Sequence, residues 1–300
     1  MKKLSIIIVN FNTSNFIINC LNSLLDGIYF RQISKNWELI VIDNHSTEDL
    51  KKLKNYLNSY PMEKRLLENT QNLGFSKASN QAIAGAKGEY ILFLNPDTII
   101  SAETLIFLLD YIASDKKVGI VTPKITLPNG KIDDASHRGF PTPWNAFCYF
   151  SNLAKIFPHS QFFNGYHLGY KKIREIHEID ACCGAFMMVS RKCGEEINWF
   201  DEDYFWYGED LDFCYRVKQK NWKVVWIPEV KIIHFKGVSS GIKKESQKLT
   251  TAGAQTVKQA QKARFEAMRI FYRKNYSGKY PVFITKLVFL AIKVKEILAT

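Results

Sequence analysis

The amino-acid sequence predicts an α/β protein with a parallel sheet that helices cover on both faces. Short β-branched apolar runs alternate with longer amphipathic segments up to about residue 120. The short runs are almost apolar throughout, which is typical of parallel strands that are buried on both sides. With 300 residues, 46% of them hydrophobic, and only 16 Gly and 9 Pro, the composition excludes disordered, collagen-like and disulfide-rich proteins.

The predicted elements of the first half alternate between strand and helix. The first apolar run ends at Asn10, too soon for a signal sequence or a membrane span, so it is predicted to be a strand. Ligands of such sheets bind beyond the carboxyl ends of the strands, so polar residues there are candidates for chemistry. Strands are predicted over residues 4–9, 39–42, 65–67, 90–94 and 118–122, and helices over 14–25, 48–57, 75–86 and 102–114.

The pattern changes in the second half of the chain. A turn is predicted over residues 127–131, and residues 137–178 are predicted to be irregular because they are rich in aromatic residues, His and Gly without a clear period. Regular structure then returns. A strand is predicted over 179–189, a helix over 210–220, a strand over 222–227 with its end near 232–235, and basic helices over 250–274 and 281–298.

The net charge of +12 is concentrated near the C-terminus. Residues 236–300 hold 14 Lys and Arg and only 3 Asp and Glu, so the rest of the chain is nearly neutral. Lys279, Lys286 and Lys293 recur every seven residues, which gives the last helix a polar stripe beside a broad apolar face. Such a helix can lie on an anionic membrane surface, or it can pack on the protein body or form a homodimer contact with a second subunit.

Three other classes of protein are disfavoured by the sequence. The six Cys show no C-x-x-C pair or zinc-ligand spacing, so reduced, mostly buried thiols are predicted. No G-x-G-x-x-G follows the first strand, which argues against a Rossmann oxidoreductase. The aromatic residues cluster near Asp210 instead of spreading over a basic readout surface, so no nucleic-acid partner is expected.

Two acidic residues come directly after predicted strands. Asp43 follows the strand at 39–42, and its carboxylate can accept from a ribose hydroxyl or a pyrimidine imide N–H. An Asn-Pro-Asp motif, with Asn95 first and Asp97 last, follows the strand at 90–94, where a carboxylate can bind a divalent cation at a diphosphate. Both positions also suit ordinary turns or helix caps.

A pair of acids, Glu209 and Asp210, follows an aromatic stretch that includes Trp206 and Tyr207 and begins a predicted helix. The helix dipole alone is a sufficient structural reason for an acid there. The functional interpretation is a general base that takes the proton from a sugar hydroxyl in a cleft with aromatic walls. Asp212 is predicted to face away from Asp210 into solvent.

Two further positions in the second half could contact a ligand. His234 ends an apolar strand, and its spacing alone favours a hydrogen-bonded, partly buried imidazole over a metal ligand. Gly184 and Ala185 interrupt a predicted strand, which indicates a bulge or the close approach of a ligand.

Taken in order, these segments resemble the inverting family 2 glycosyltransferases. The first half contributes residues 5–12, 39–44, 72–75 with Asn80, and 92–98. The later segments resemble the rhamnosyltransferase-type branch, through Gly184-Ala185, residues 200–202 and 207–212, Pro228 and His234. The resemblance covers roughly residues 4–240. The motifs in this order along the chain are far more specific to the family than any one of them alone.

The resemblance implies a GT-A fold, a Rossmann-like architecture with one mixed central sheet. Residues 1–240 would form the catalytic domain, with a nucleotide-binding half over about 1–125 and an acceptor-binding half over 126–240. Residues 241–300 would add a basic helical region that contacts a membrane surface or a second subunit.

The resemblance also implies roles for the candidate residues. Asn95 stands where the family's Asp-x-Asp metal motif usually has its first Asp, and an amide oxygen binds Mg²⁺ or Mn²⁺ more weakly, so weak metal binding is expected. The metal would bind Asp97 and His234, and Asp210 would be the catalytic base beside Glu209. The donor would contact Asn10, Asp43, Asn72, Asn95 and Asp97. The acceptor side would be lined by Gly184, Ala185, Trp206 and Tyr207.

The function implied is inverting transfer of a sugar from a nucleotide-diphosphate donor, dTDP-rhamnose or a UDP-sugar, to a hydroxyl of a glycan acceptor. A lipid-linked acceptor in cell-surface polysaccharide assembly, and a cytoplasmic enzyme peripheral to the inner face of the cell membrane, follow from the same resemblance. The alternative is a catalytically inactive relative that acts as a nucleotide-sugar or membrane-surface binding scaffold.

Overall fold

The computed structural model describes residues 2–25, 30, 34–243 and 247–299, so residues 244–246 and Thr300 of the predicted basic tail lie outside the described residues. A central sheet organises the described chain. Its strands are β1 (Lys2–Asn10), β2 (Trp37–Asp43), β3 (Glu63–Glu68), β4 (Gly88–Leu94), β5 (Thr98–Ile99), β6 (Val118–Thr126), β7 (His177–Ile179), β8 (Phe186–Ser190) and β9 (Lys223–His234).

The helices between the strands follow the predicted positions closely in the first half. A short 3-10 turn, Ser34–Asn36, precedes β2. The α-helices are α1 (Ser14–Leu25), α2 (Lys51–Ser59), α3 (Gly74–Gly85), α4 (Ala102–Ser114), α5 (Pro143–Phe150), α6 (Leu153–Ile156), α7 (Arg191–Glu196), α8 (Glu209–Gln219), α9 (Ala254–Asn275) and α10 (Val282–Ala299).

The sheet is mixed, in the order β3-β2-β1-β4-β8-β6-β9-β5, with β7 paired to β9. The first four strands of this order are parallel, as the sequence predicts. The second half adds antiparallel pairs to the sheet, since β8 lies antiparallel between β4 and β6. The apolar sequence of Phe186–Ser190 suits this central position, because a strand there is buried on both faces of the sheet. The mixed sheet implied by the resemblance is confirmed.

Two predictions for the second half need correction, and one is confirmed. The strand predicted over 179–189 divides into β7 and β8, because residues 180–185 leave the sheet. The strand predicted from residue 222 with its end near 232–235 is confirmed as β9, whose pairing with β6 shifts register where Pro228 interrupts the ladder. Residues 137–178 are not wholly irregular, since α5, α6 and the start of β7 lie there.

Helices cover both faces of the sheet and bury two apolar layers. Alternate residues of β1 point to opposite sides, so that Ile6 and Ile8 join one layer and Ile7 the other. The first layer includes α1, α2 and α4, and the second includes α3, α8 and α9. All six cysteines are free and buried, as predicted.

Asp212 is buried, which corrects the prediction that it faces solvent. Its carboxylate accepts from Arg216 Nε at 2.7 Å, from the Tyr204 hydroxyl at 3.3 Å and from Asn275 Nδ2 at 3.2 Å. Asn275 is the last residue of α9, so Asp212 ties α8 to α9. Asp212 lies two positions after Asp210 on the same helix, so it faces another side of α8, and the packing of α9 on that side buries a position that would otherwise be exposed.

The C-terminal helices form an antiparallel pair against this layer. The ring of Phe289 on α10 packs on Tyr272 of α9 with 5.6 Å between centroids, and Arg269 pairs with Glu296. Both helices were predicted from the sequence. In the ranges that the structure describes, every helix is too short or too polar to cross a lipid bilayer.

Replacing Gly74 by Ala should destabilise the fold more than replacing Gly130 by Ala. Both glycines have positive φ, so both substitutions carry the same backbone cost of about 1–2 kcal/mol. A Cβ at position 74 would also lie 2.5 Å from the Phe205 carbonyl oxygen, whereas a Cβ at 130 meets nothing. We expect a further loss of about 1–3 kcal/mol for Gly74→Ala in chemical denaturation. Equal losses for the two variants would contradict this packing.

Candidate active site

A cavity of about 610 Å³ opens beyond the carboxyl ends of the central strands. The ends of β1, β4 and β9 line it, together with the beginning of α8 and parts of α5, α9 and α10. Ten of the residues predicted from the sequence lie on its wall. They are Asn72, Asn95, Asp97, Gly184, Ala185, Trp206, Tyr207, Glu209, Asp210 and His234.

Asn10 and Asp43 lie behind this wall. Both are buried, and Asn10 Nδ2 donates to Asp43 Oδ1 at 2.8 Å, which joins the ends of β1 and β2. The neighbouring Asn44 lines the cavity instead, and its Nδ2 donates to Asn72 Oδ1 at 2.9 Å. The roles of Asn10 and Asp43 in donor binding stay predictions.

A buried group of charges stands where β9 ends. His234 Nδ1 lies 3.0 Å from Asp133 Oδ2, and His234 Nε2 lies 3.4 Å from Asp97 Oδ1. The other oxygen of Asp133 accepts from Lys236. Asp97 is positioned by the turn after β4, and the backbone N–H of Phe235 donates to its carbonyl oxygen at 2.9 Å. The fold therefore brings two acids and two basic groups together at one end of the cavity.

The acidic and basic groups in this cluster favour each other's charged forms. Burial alone would lower the pKa of His234, but the negative charge of Asp97 and the hydrogen bond to Asp133 raise it to about 9. Burial would raise the pKa of Asp133, yet the hydrogen bond from His234 and the charge of Lys236 hold it well below its usual range. The imidazolium is the favoured form as long as no cation competes for Asp97.

The residues present fit a divalent cation. His234 Nε2 is buried and has no hydrogen-bond partner among the described residues, and it faces the Asp97 carboxylate. Its other ring nitrogen is fixed by Asp133, which is the usual second partner of a metal-ligating histidine. Within the described ranges no group of three or more His, Cys, Asp or Glu could hold a metal alone. Asp97 and His234 thus supply two ligands, and substrate oxygens and water would have to supply the rest.

Asp210 is held firmly at the first turn of α8. Its Oδ2 is 2.9 Å from Arg138 Nη2 and accepts from the Gly184 backbone N–H at 3.1 Å. Its Oδ1 accepts from the Leu211 backbone N–H at 2.7 Å. Burial of Arg138 would lower the pKa of its guanidinium group, but the negative charge of Asp210 raises that pKa above its usual range. The arrangement orients one carboxylate toward the cavity while its charge is stabilised.

Glu209 has very different surroundings although it is next in sequence. It is 8% exposed, and its Oε2 has no hydrogen-bond partner among the described residues. Burial, and then the charge of Asp210, raise the pKa of Glu209 to about 8. Glu209 is therefore protonated at neutral pH and can donate a hydrogen bond into the cavity.

The aromatic stretch before α8 is held in a sharp turn. Tyr207 and Gly208 both have positive φ, at 70° and 82°, which is rare for an aromatic residue. The Trp206 and Tyr207 rings stack at 5.9 Å, and Trp206 meets Phe11 edge to face at 6.3 Å. Unusual backbone of this kind concentrates at functional sites. Here it presents the rings and the two acids to one cavity.

Sequence reasoning did not identify Asp133 or Arg138 as site residues. Asp133 lies between the predicted turn at 127–131 and the region treated as irregular, and Arg138 lies near the start of that region, so no strand or helix period marks a carboxyl end at either residue. The available signal was the acidic pair Asp133-Asp134 followed closely by Arg138 in an otherwise aromatic segment. Their partners, His234 and Asp210, are about a hundred and about seventy residues away, so only the fold pairs them.

Residues 5–197 match the protein-family model described as glycosyl transferase family 2. The rhamnosyltransferase WbbL of Escherichia coli is 29% identical over 177 residues, which are 54% of this chain and 61% of that protein. An N-acetylglucosaminyl-diphospho-decaprenol L-rhamnosyltransferase of Mycobacterium tuberculosis is 26% identical over 214 residues, 68% of each chain. The chain spans 24% to 66% of the length of the first curated relatives that it matches.

Solved glycosyltransferase structures have the same fold. The mannosyltransferase PcManGT from Pyrobaculum calidifontis, in complex with GDP-Man and Mn²⁺, superposes with a TM-score of 0.57 at 16% identity, covering 99% of this chain and 86% of that one. At this level of identity the likeness concerns the fold alone. It confirms the GT-A fold predicted from the sequence motifs.

Replacing Glu209 by Gln should stabilise the protein at alkaline pH and leave its stability near pH 4 almost unchanged. Unfolded Glu209 has its ordinary pKa of 4.5 and folded Glu209 about 8. Between these values the unfolded state binds fewer protons, so the free energy of unfolding falls as pH rises, by up to about 1.4 kcal/mol per unit. Gln cannot ionise, so the variant escapes this loss.

Thermal unfolding of the variant and the parent chain from about pH 4 to about pH 9 measures the effect. Glu229→Gln, at an exposed glutamate of β9, is the matched control and should keep the parent's pH dependence. If Glu209→Gln and the parent lose stability in parallel as pH rises, the assignment of a protonated Glu209 is wrong.

Proposed function

Because this chain belongs to glycosyl transferase family 2, we propose that it transfers a sugar from a nucleotide-diphosphate donor to a hydroxyl of a glycan acceptor with inversion at the anomeric carbon. The family predicted from the sequence motifs is confirmed by the match, and the predicted enzyme class, a glycosyltransferase, is that of the family. The reaction, the substrates and the residue roles are our proposal.

The observation that carries the proposal is the position of Asp210. Its carboxylate stands at the start of α8 on the wall of the same cavity as Asp97 and His234. A sugar hydroxyl is a poor nucleophile at neutral pH, and a positioned carboxylate that takes its proton during attack lowers the barrier. In this proposal Asp210 is the base, and Arg138 and the Gly184 N–H keep its Oδ2 in place so that Oδ1 faces the acceptor.

Glu209 and the aromatic rings would position the acceptor. Glu209 is protonated at neutral pH, so it can donate to a sugar oxygen, whereas Asp210 can only accept when ionised. Trp206 and Tyr207 offer flat apolar faces to a sugar ring. Gly184 and Ala185 would line the acceptor side next to the two acids, since a Cβ at Gly184 would be in ordinary contact, at 3.9 Å, with Asp210 Cβ and Glu209 Oε1.

At the other end, Asp97 and His234 would bind Mg²⁺ or Mn²⁺, with Asn95 beside them. A divalent cation there supplies charge neutralisation to the departing nucleotide diphosphate. Asp133 holds His234 with Nε2 toward Asp97, and Lys236 donates to the other carboxylate oxygen of Asp133. Asn72 and Asn44 offer amide groups for the ribose and base, with Asn10 and Asp43 behind them.

The identity of donor and acceptor is proposed from relatives. Two of them are named rhamnosyltransferases, and one name specifies a diphospho-decaprenol acceptor. We therefore favour dTDP-rhamnose, with UDP-sugars as the other donor class, and a lipid-linked glycan acceptor for cell-surface polysaccharide assembly.

The organisation that we propose divides the chain at residue 240. Residues 1–240 carry the catalysis, with donor contacts mainly from 1–125 and acceptor contacts mainly from 126–240. Residues 241–300 place the enzyme on the anionic inner face of the cell membrane from the cytoplasm. The exposed apolar side of α10 supports this docking, and a homodimer would be the competing use of that side.

A screen of nucleotide diphosphates and nucleotide sugars by thermal shift tests donor binding. We expect dTDP or UDP compounds to raise Tm, and Mn²⁺ to increase the shift, because Asp97 and His234 would hold the cation and it would neutralise the charge of the diphosphate. Asp97→Asn should remove the metal-dependent part of the shift. Asp134→Asn, at an exposed acid of the same cavity, is the control and should keep it. A chain that no nucleotide stabilises would refute the proposal and leave a scaffold as the better interpretation.

Asp210→Asn should abolish transfer while nucleotide-sugar binding stays nearly intact. The amide cannot take the hydroxyl proton, so we expect turnover to fall at least about a hundredfold. Product formation from the donor selected by the thermal-shift screen measures this, and Asp203→Asn on the preceding loop is the matched control. Near-normal turnover by Asp210→Asn would show that another group is the base.

A further inference from the structure

Two basic side chains line the outer wall of the cavity without an acidic partner in the part of the chain that the structure describes. Arg264 of α9 and Lys295 of α10 both face the cavity. The two acids in the described part of these helices, Glu266 and Glu296, pair with Arg269. Among the described residues neither Arg264 nor Lys295 forms an ion pair. Unpaired positive charges on a cavity wall are typical of an anion-binding site.

The two charges also affect each other. Lys295 is half-buried, and burial followed by the charge of Arg264 lowers the pKa of its ammonium group. The Lys295 Nζ lies 3.7 Å from the centroid of the Phe150 ring on α5, so this residue bridges α10 and α5 at the cavity mouth. Two neighbouring cations repel each other, and an anion bound between them relieves the repulsion.

The surface around this mouth is apolar and exposed. Phe147 and Phe150 of α5, and Leu287 and Leu290 of α10, are each more than half exposed. α10 packs one apolar side on α9 and leaves a second apolar side uncovered, and none of its described residues is buried. A helix that is apolar on both sides is typical of a helix with a second apolar neighbour.

We propose that Arg264 and Lys295 bind the phosphate group of an amphiphilic acceptor, whose hydrocarbon chain leaves the cavity across the exposed apolar side chains of α5 and α10. The inference rests on the proposed function, since it assigns the acceptor of the same cavity. Charge and apolar surface together select this ligand. A nucleotide has the phosphates but no hydrocarbon to cover the exposed rings, and a neutral lipid has no group for the two cations.

The binding of farnesyl diphosphate by the full chain tests the site, because this probe joins a diphosphate to a short hydrocarbon. Tryptophan fluorescence reports on binding, since Trp206 lines the cavity and Trp144 lies on α5. The nucleotide diphosphate identified by thermal shift is present at saturation, so the donor subsite is blocked. Inorganic diphosphate and farnesol are the two partial probes.

We expect the double variant Arg264→Gln/Lys295→Gln to weaken farnesyl diphosphate binding roughly tenfold or more, as the loss of two charge-assisted contacts predicts. The matched control is Lys262→Gln/Lys293→Gln, which removes the same charge from exposed positions of the same two helices. It should change the affinity less than about twofold. Farnesyl diphosphate should also bind more tightly than inorganic diphosphate or farnesol.

Equal losses in the two double variants would overturn the site, because general electrostatic attraction would then explain the binding. Equal affinity for farnesyl diphosphate and inorganic diphosphate would overturn the hydrocarbon path, as would a dimer that buries the outer side of α10. A chain that binds farnesyl diphosphate through Arg264 and Lys295 but binds no nucleotide would contradict the proposed function and support this site. Normal nucleotide binding without the expected loss would contradict the site alone.

Discussion

The buried carboxylate of Asp133 is the contact on which the end of the cavity at Asp97 and His234 depends. It accepts from His234 and Lys236 at the end of β9, while its own backbone N–H donates to the Ile125 carbonyl of β6 at 2.9 Å. One residue thus joins two neighbouring strands and places its buried carboxylate between two basic side chains. Removing one partner of such a buried group typically costs about 3–5 kcal/mol. The orientation of His234 toward Asp97 follows from this constraint.

The same principle separates the two acids at the start of α8. Three donors serve Asp210, so its negative charge is stabilised at the helix N-terminus. Glu209 has a buried oxygen with no partner, and it stays protonated beside its charged neighbour. Adjacent titratable groups whose surroundings differ in this way are suited to different roles in one reaction. The turn at Tyr207 and Gly208 places both acids on the wall of one cavity, where Arg138 and the Gly184 N–H bond to Asp210.

Sequence patterns predicted the parallel half of the sheet because each strand there is a local apolar run with its own helix. They failed for β8, whose antiparallel place between β4 and β6 depends on residues about 70 to 95 positions apart. The site residues also fall into those that sequence patterns predicted and those that they missed. Asp97, Asp210 and His234 stand at element ends that periodicity reveals, whereas Asp133 and Arg138 act through distant partners. Asp212 appeared solvated because a single helix gives no sign of α9 beside it.

Part of the excess positive charge of the chain lies on the outer side of α10 and at the mouth of the cavity. Lys279 packs over the Tyr215 ring at 5.0 Å, but Lys286 and Lys293 stand exposed among the apolar side chains on the outer side of α10. Exposed lysines between exposed apolar residues suit the surface of an anionic bilayer, where the rings and methyl groups enter the headgroup region and the ammonium groups meet phosphate. Arg264 and Lys295 continue this basic surface into the cavity. A phosphate-linked acceptor that arrives from the bilayer would therefore meet positive charge until its sugar reaches the acids at α8.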